Sequence, residues 1–221
     1  MKKSKLILFF ALLLLSATNL FATAQYPDKI IYNGKEHMLH SNPMEAYFKK
    51  FPDKRPETEI MSSALWRGYV ATFEFVDKAL FLKDIQIQFT EKSEKSSFNP
   101  KWKSVISEVV PEKERLKIDW LTGILVLPYG EVVNYVHMGY GSTYENYILL
   151  EVAGGELKNT KEFGYKEYEK FKERQFQAFK KTEEYKKAFE DLRKEGDRTP
   201  EFIDSFLRDF VIEYTSKILV D

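Results

Sequence analysis

The chain has no cysteine and only three histidines. The first absence excludes disulfide bracing, thiol catalysis, thiol redox chemistry and cysteine-ligated metal. An excess of positive charge is missing as well, with 34 basic against 34 acidic residues. That balance lacks the basic footprint of a nucleic-acid-binding protein. Beyond the first two dozen residues, no apolar run approaches the roughly 20 residues that a bilayer span needs.

What is present begins with those first residues. Lys2, Lys3 and Lys5 precede an unbroken apolar stretch from Leu6 to Leu15, and Ala22-Thr23-Ala24 stands ahead of Gln25. This is the order of a secretory signal peptide: a basic region, an apolar core and a small-residue exit. Cleavage after Ala24 leaves 197 residues with 31 basic and 34 acidic side chains. The expected organisation is therefore a signal peptide over 1–24 and one domain over 25–221. That domain is exported to the periplasm or the extracellular medium, with no membrane span once the leader is gone. Stability in a thiol-free domain must come from core burial, and 18 Phe, 13 Tyr and 3 Trp supply large apolar areas for it.

Turn and cap chemistry divides the chain into elements. Asn33-Gly34 between two short strand-like runs predicts a hairpin, because both turn positions require positive φ. Asn42-Pro43-Met44-Glu45 predicts a helix with Asn42 as cap, Pro43 at its first position and Glu45 closing a capping box. A second hairpin is expected over Ala64–Val76 and Ala79–Phe89, turning at Asp77-Lys78. The parity of its apolar residues changes near Lys83-Asp84, which calls for a β-bulge. Glu91 to Ser97 reads as a polar loop. Asn99-Pro100 repeats the cap signal and predicts a short helix with Trp102, Val105, Ile106 and Val109 facing inward.

From Arg115 to Phe163 the pattern predicts a β-meander over about 116–120, 122–127, 131–138, 145–153 and 156–162. The continuous apolar runs Ile124–Leu127 and Tyr147–Leu150 predict strands buried on both faces. The covering layer is expected from the C-terminal third. A charged helix over 165–195 has an apolar stripe that swings round near Thr182, where a second segment can be capped. Gly196 ends it, and Thr199-Pro200 starts an amphipathic helix carrying Phe202, Ile203, Phe206, Leu207, Phe210, Val211, Tyr214 and Ile218. The fold class expected is α+β: an antiparallel meander and hairpin sheet with short helices and a C-terminal pair of long helices packed on it.

Candidate functional residues concentrate in Asn134–Tyr147. Tyr135 and His137 share strand parity, and a turn over Gly139–Thr143 would put Tyr140, Ser142 and Tyr144 at the sheet's end. With His137 and Glu145 as polar contacts, such a turn forms an aromatic platform for a sugar ring or a peptide. Trp66 and Arg67, beside Gly68, form a second candidate, a guanidinium and a ring placed for anion binding or stacking. Catalytic motifs fail on spacing. Ser142 lacks the flanking glycines of a nucleophile elbow, Gly139-Tyr140-Gly141 lacks the third glycine of a nucleotide fingerprint, and His37 and His40 have the wrong separation for a zinc helix.

No cofactor or metal is implied. The leading expectation is a non-catalytic binding domain that recognises a protein, peptide or glycan in the cell envelope. A small hydrolase using His137 with a carboxylate or Ser142 competes with it. So does an assembly protein that uses its C-terminal helices.

Overall fold

Turn chemistry sets the first hairpin. β1 (Asp28–Tyr32) and β2 (Lys35–Leu39) pair antiparallel about Asn33 and Gly34, whose φ values are +49° and +74°. The computed structural model describes residues 24–60, 62–90, 100–110, 115–137 and 139–221. The leader expected before Gln25, save Ala24 itself, and the polar loop Glu91–Ser97 lie outside the described residues. Among those described, no helix is long and apolar enough to cross a membrane.

α1 (Met44–Lys50) follows β2, buries Met44 and Phe48, and stops before Pro52. β3 (Val70–Val76) and β4 (Ala79–Phe89) form the second hairpin, with Asp77 and Lys78 both at positive φ. Thr72 pairs with Asp84 and Phe73 with Leu82, so Lys83 is the extra residue of the expected bulge. Two expectations for this region change. Ser63–Leu65 is a 3-10 turn and the strand begins only at Val70. Trp102 lies on a short strand, β5 (Lys101–Ser104), and α2 is confined to Ile106–Val109. The far half of β4 runs past the start of β3, and β5 supplies backbone partners for Gln86–Phe89.

β6 (Gly123–Asn134) is one long strand where the pattern suggested two, because Gly130 (φ +84°) lets it pass two register shifts without ending. β7 (Thr143–Ala153) and β8 (Glu156–Gly164) complete the meander. The segment expected as a strand over 116–120 contributes a single bridge, Lys117 to Phe81.

The strands form one mostly antiparallel eight-stranded sheet in the order β2-β1-β3-β4-β8-β7-β6, with β5 added on β4 and a parallel β1–β3 pair. The sheet curls until its two ends meet: His40 N, just after β2, donates to Val126 O of β6 at 2.9 Å. One core fills the concave side, with Ile30, Phe73, Leu80, Leu125, Leu127 and Leu150 among its buried members.

The second core lies on the outer face of β6 and β7 and explains their unbroken apolar runs. Ile124, Val126, Tyr147 and Leu149 point to it, while Leu125, Leu127, Ile148 and Leu150 point inward. Its cover is helical: α3 (Tyr165–Phe179), α4 (Glu183–Lys194), α5 (Pro200–Asp209) and α6 (Val211–Tyr214). Tyr168 stacks on Tyr147 with centroids 4.0 Å apart, and Phe171 on Phe163 at 4.7 Å.

The bend expected near Thr182 is a true break, and the Thr182 hydroxyl accepts from Tyr185 N to cap α4. Thr199 caps α5 in the same way. The last helix does not run on to Ile218. It breaks at Phe210, and the tail is fastened by side chains: fully buried Gln175 donates to Thr215 Oγ1 and Lys217 O and accepts from Leu219 N.

Leu149 is fully buried between sheet and helices. Leu149→Ala is therefore expected to lower the unfolding free energy by about 3 kcal/mol, the usual cost of a core cavity. Thr182→Ala removes one cap and is expected to cost about 1 kcal/mol. Urea denaturation of both variants measures the two.

Candidate functional site

Two of the candidate residues, Arg67 and Tyr140, meet at one end of the curled sheet, around a guanidinium. Gly68, at φ +82°, turns the chain sharply after Arg67, and a Cβ there would collide with the Thr58 side chain. That turn points Arg67 into the protein, where its side chain is 1 % exposed against 0 % for Asp28. Arg67 Nη2 donates to Asp28 Oδ1 at 3.2 Å and to Tyr26 O at 3.0 Å, and Nη1 donates to Tyr140 Oη at 2.9 Å. Asp28 Oδ1 also accepts from Ala71 N at 2.9 Å, tying β1 to the start of β3.

The network continues outward through side chains that the sequence suggested for other work. Tyr140 donates to Asn42 Oδ1 at 2.8 Å, so Asn42 does not cap α1 with its side chain; Pro43 occupies the cap position. Glu45, expected to close a capping box, instead accepts from Tyr69 Oη at 2.7 Å and from Arg55 Nη2 at 2.6 Å. Arg55 also donates to Arg67 O, and both guanidiniums lie over the Tyr69 ring. His40 stacks on Tyr140 with centroids 4.6 Å apart and meets Tyr144 edge-on.

Burial sets the electrostatics. It pushes the Asp28 carboxyl up to about 7, against the lowering pull of Arg67 and the Ala71 N–H. The geometry shows why that pull is insufficient: both hydrogen bonds fall on Oδ1, while Oδ2 is buried without a hydrogen-bond partner among the described residues. Arg67 Nε is likewise buried without a partner. Burial opposes the guanidinium's charge, but Asp28, Tyr140 and Tyr69 outweigh it and hold Arg67 above its ordinary value. Burial drives His40 down to about 4, so its ring is neutral against Tyr140.

Of the residues singled out in the sequence, Arg67 and Tyr140 are in direct contact, and Tyr144 joins them through His40. Tyr135 and His137 lie beyond the end of β6, exposed and edge-to-face at 4.6 Å, so their proximity comes from the turn, not from strand parity. Ser142 Oγ accepts from Val136 N at 3.0 Å and donates to Val136 O at 3.2 Å, closing the 136–142 turn on itself. Glu145 Oε2 accepts from Glu131 N across the β6–β7 pair, and a Cβ at Gly130 would strike that carboxylate. Trp66 is exposed beside buried Arg67.

Asp28, Asn42, Glu45, Tyr69 and His40 were not legible as parts of one network. The single local signal was Gly68 beside Arg67. Among the described residues, no group of three or more His, Asp or Glu is placed to hold a metal ion.

What the network does mechanically is join four segments. Arg67 binds residue 26, Tyr140 binds residue 42, Gln25 N donates to Gly139 O at 3.2 Å, and Tyr26 N donates to Ala64 O at 2.9 Å. The strap at residues 24–26 is thereby held between the 62–67 and 135–142 loops. Tyr26, Trp66 and Tyr135 stand exposed on these segments, and Trp102 packs edge-on against Tyr26 at 5.6 Å.

Two variants probe the network. Tyr140→Phe leaves Arg67 Nη1 and Asn42 Oδ1 without their shared partner and is expected to cost about 2 kcal/mol in urea unfolding. The Asp28 carboxyl binds its proton more tightly folded (about 7) than unfolded (3.8), so its contribution to stability declines as pH rises through that interval. His40 has the opposite sign, adding stability as pH rises from about 4 to 6.5. The stability of Asp28→Asn minus that of the unaltered protein should therefore grow between pH 4 and 7, by up to about 4 kcal/mol. A difference that shrinks over that range would mean that Arg67 dominates the carboxyl instead.

No family model matches the chain, and neither a curated protein nor a solved structure is similar to it.

Proposed function

We propose that this chain is an exported, non-catalytic binding domain that recognises a protein, peptide or glycan of the cell envelope through the sheet end around Arg67. One observation carries this reading. Tyr26, Trp66, Trp102 and Tyr135 are between 37 % and 57 % exposed; the segments of Tyr26, Trp66 and Tyr135 are joined by the Arg67 network and the 24–26 strap, and Trp102 packs on Tyr26. Large rings held on a rigid frame supply contact area with little ordering cost on binding, which is how aromatic recognition surfaces work. The exposed His137 beside Tyr135 and the exposed Glu145 add polar contacts at the rim.

Binding is favoured over hydrolysis by how the polar groups are used. The Ser142 hydroxyl closes its own turn on Val136, and the charged pair in the network is sealed from solvent. A ligand could reach the rings without reaching Asp28 or Arg67. Export rests on the basic and apolar order of residues 2–15 and the Ala-x-Ala ahead of Gln25.

Secreted material is expected to begin at Gln25, which N-terminal sequencing reads. Mature protein screened on glycan arrays and envelope peptide libraries is expected to retain a ligand. Trp66→Ala combined with Trp102→Ala should weaken that retention at least about tenfold with little change in Tm, because both rings are exposed. Retention that survives this pair together with Tyr135→Ala would exclude the aromatic rim as the binding surface.

A further inference from the structure

The last long helix presents a face that the fold leaves uncovered. Two neighbouring rows of apolar side chains at i, i+4, i+8 spacing run along α5 and on past its break at Phe210. Ile203, Leu207 and Val211 form the inner one and are fully buried in the second core. Phe202, Phe206 and Phe210 form the outer one, with Phe202 at 54 % and Phe210 at 42 % exposure. The outer rings lie one on the next, with centroids 6.3 Å and 4.7 Å apart, and Phe206 also meets Tyr214 at 5.9 Å.

A monomeric surface seldom leaves a continuous ladder of large rings in water unless something covers it. The network around Arg67 plays no part here, and this surface stands apart from the binding rim and from the question of export.

We propose that the Phe202–Phe206–Phe210 ridge docks a cationic amphipathic helix of another protein. The choice of occupant follows from charge. Tyr214, at the end of the ladder, lines a cavity of about 460 Å³ whose wall also carries Glu184, Asp191, Glu195 and Glu213. Lys187 is the lone basic residue of that wall, and its ammonium is paired with Asp191 at 2.6 Å. The Glu213 carboxylate, in the helix turn that follows the ladder, has no hydrogen bond or ion pair among the described residues.

Alongside the ridge, Arg208 lies 3.8 Å from Asp209 and donates to Ser205. An apolar stripe leading into an acidic cavity complements a helix with leucine-like anchors on one face and lysines or arginines beside them. A second copy of this chain fits poorly, because it would bring a second acidic wall against the first.

The test uses purified protein and two labelled helical peptides of matched length, one built from Leu and Lys and one from Leu and Glu, read by fluorescence anisotropy. The Leu/Lys peptide is expected to bind and the Leu/Glu peptide to show no binding. Phe202→Ser with Phe210→Ser should weaken the Leu/Lys peptide at least about tenfold while leaving Tm nearly unchanged. Glu213→Gln should weaken it several-fold and flatten its salt dependence. Should the double variant fail to fold, Phe202→Ser alone carries the same expectation, since that ring is more than half exposed.

The proposal is overturned by unchanged binding in these variants, by equal binding of the Leu/Glu peptide, or by no binding of either. Sedimentation showing a dimer that Phe202→Ser dissociates would also overturn it, assigning the ridge to a second copy.

Discussion

One guanidinium holds one end of the curled sheet together. Arg67 reaches the carbonyl of Tyr26, the carboxyl of Asp28 and the hydroxyl of Tyr140, with Tyr140 far away in the chain from the other two. Through Asp28 the same interaction reaches Ala71 N, and through Tyr140 it reaches Asn42 at the start of α1. A planar group with five donors can serve several acceptors at once, which an ammonium on a flexible stem does less well. The arrangement has a cost, since Asp28 Oδ2 and Arg67 Nε are buried without hydrogen-bond partners among the described residues.

Much of the architecture was readable because it rests on local chemistry. Asn33-Gly34, Asp77-Lys78, Thr182 and Thr199 act where the sequence places them, each fixing backbone angles or a helix start within four residues. The double-sided burial of β6 and β7 was readable for a related reason, as an unbroken apolar run leaves neither face of a strand suited to water. The failures share the opposite cause. Asn42 and Glu45 have the right identities and spacing for a capping box, yet Tyr140, Tyr69 and Arg55 claim their oxygens.

Those partners lie between 10 and 98 positions away in sequence, so no local pattern announces them. Trp102 follows the same rule. The residues after the Asn-Pro pair form a strand on the unpaired half of β4 instead of the expected helix. The candidate site was legible only as a concentration of tyrosines with one arginine beside a glycine. Which of those rings would be structural depended on Arg67 pointing inward, which the positive φ of Gly68 and the partners Asp28, Tyr26 and Tyr140 set together.

The two outer surfaces differ in how they are held. At the Arg67 end, rings stand on irregular segments made rigid by charged and polar side chains. At the other, the ladder runs along α5 to the break at Phe210, and the neighbouring Ile203, Leu207 and Val211 are buried in the second core. Phe206 belongs partly to each role, being half-buried among Phe202, Phe210 and Tyr214. That division shows why the amphipathic pattern of the last helix was misleading. Its apolar arc is wider than the second core covers, and hydropathy gives both ridges the same weight. Periodicity reports how much of a helix avoids water, not how much of it this fold can shelter.

Why an ion pair should occupy the buried end at all follows from what it replaces. In a chain without cysteine, apolar residues of similar volume at positions 28 and 67 would match or exceed the pair's net stability, since desolvation consumes most of the Coulombic gain. They would not, however, supply an acceptor for Ala71 N or donors for Tyr26 O and Tyr140 Oη. Each of those groups would be left to find water or to move. The 24–26 strap would lose the Arg67 bond to Tyr26 O, and the 135–142 loop would keep Gln25 N on Gly139 O, Asn42 on Tyr140 and the stack on His40. What the buried charges contribute is geometry: they select one arrangement of three loops out of many that an oily core would tolerate.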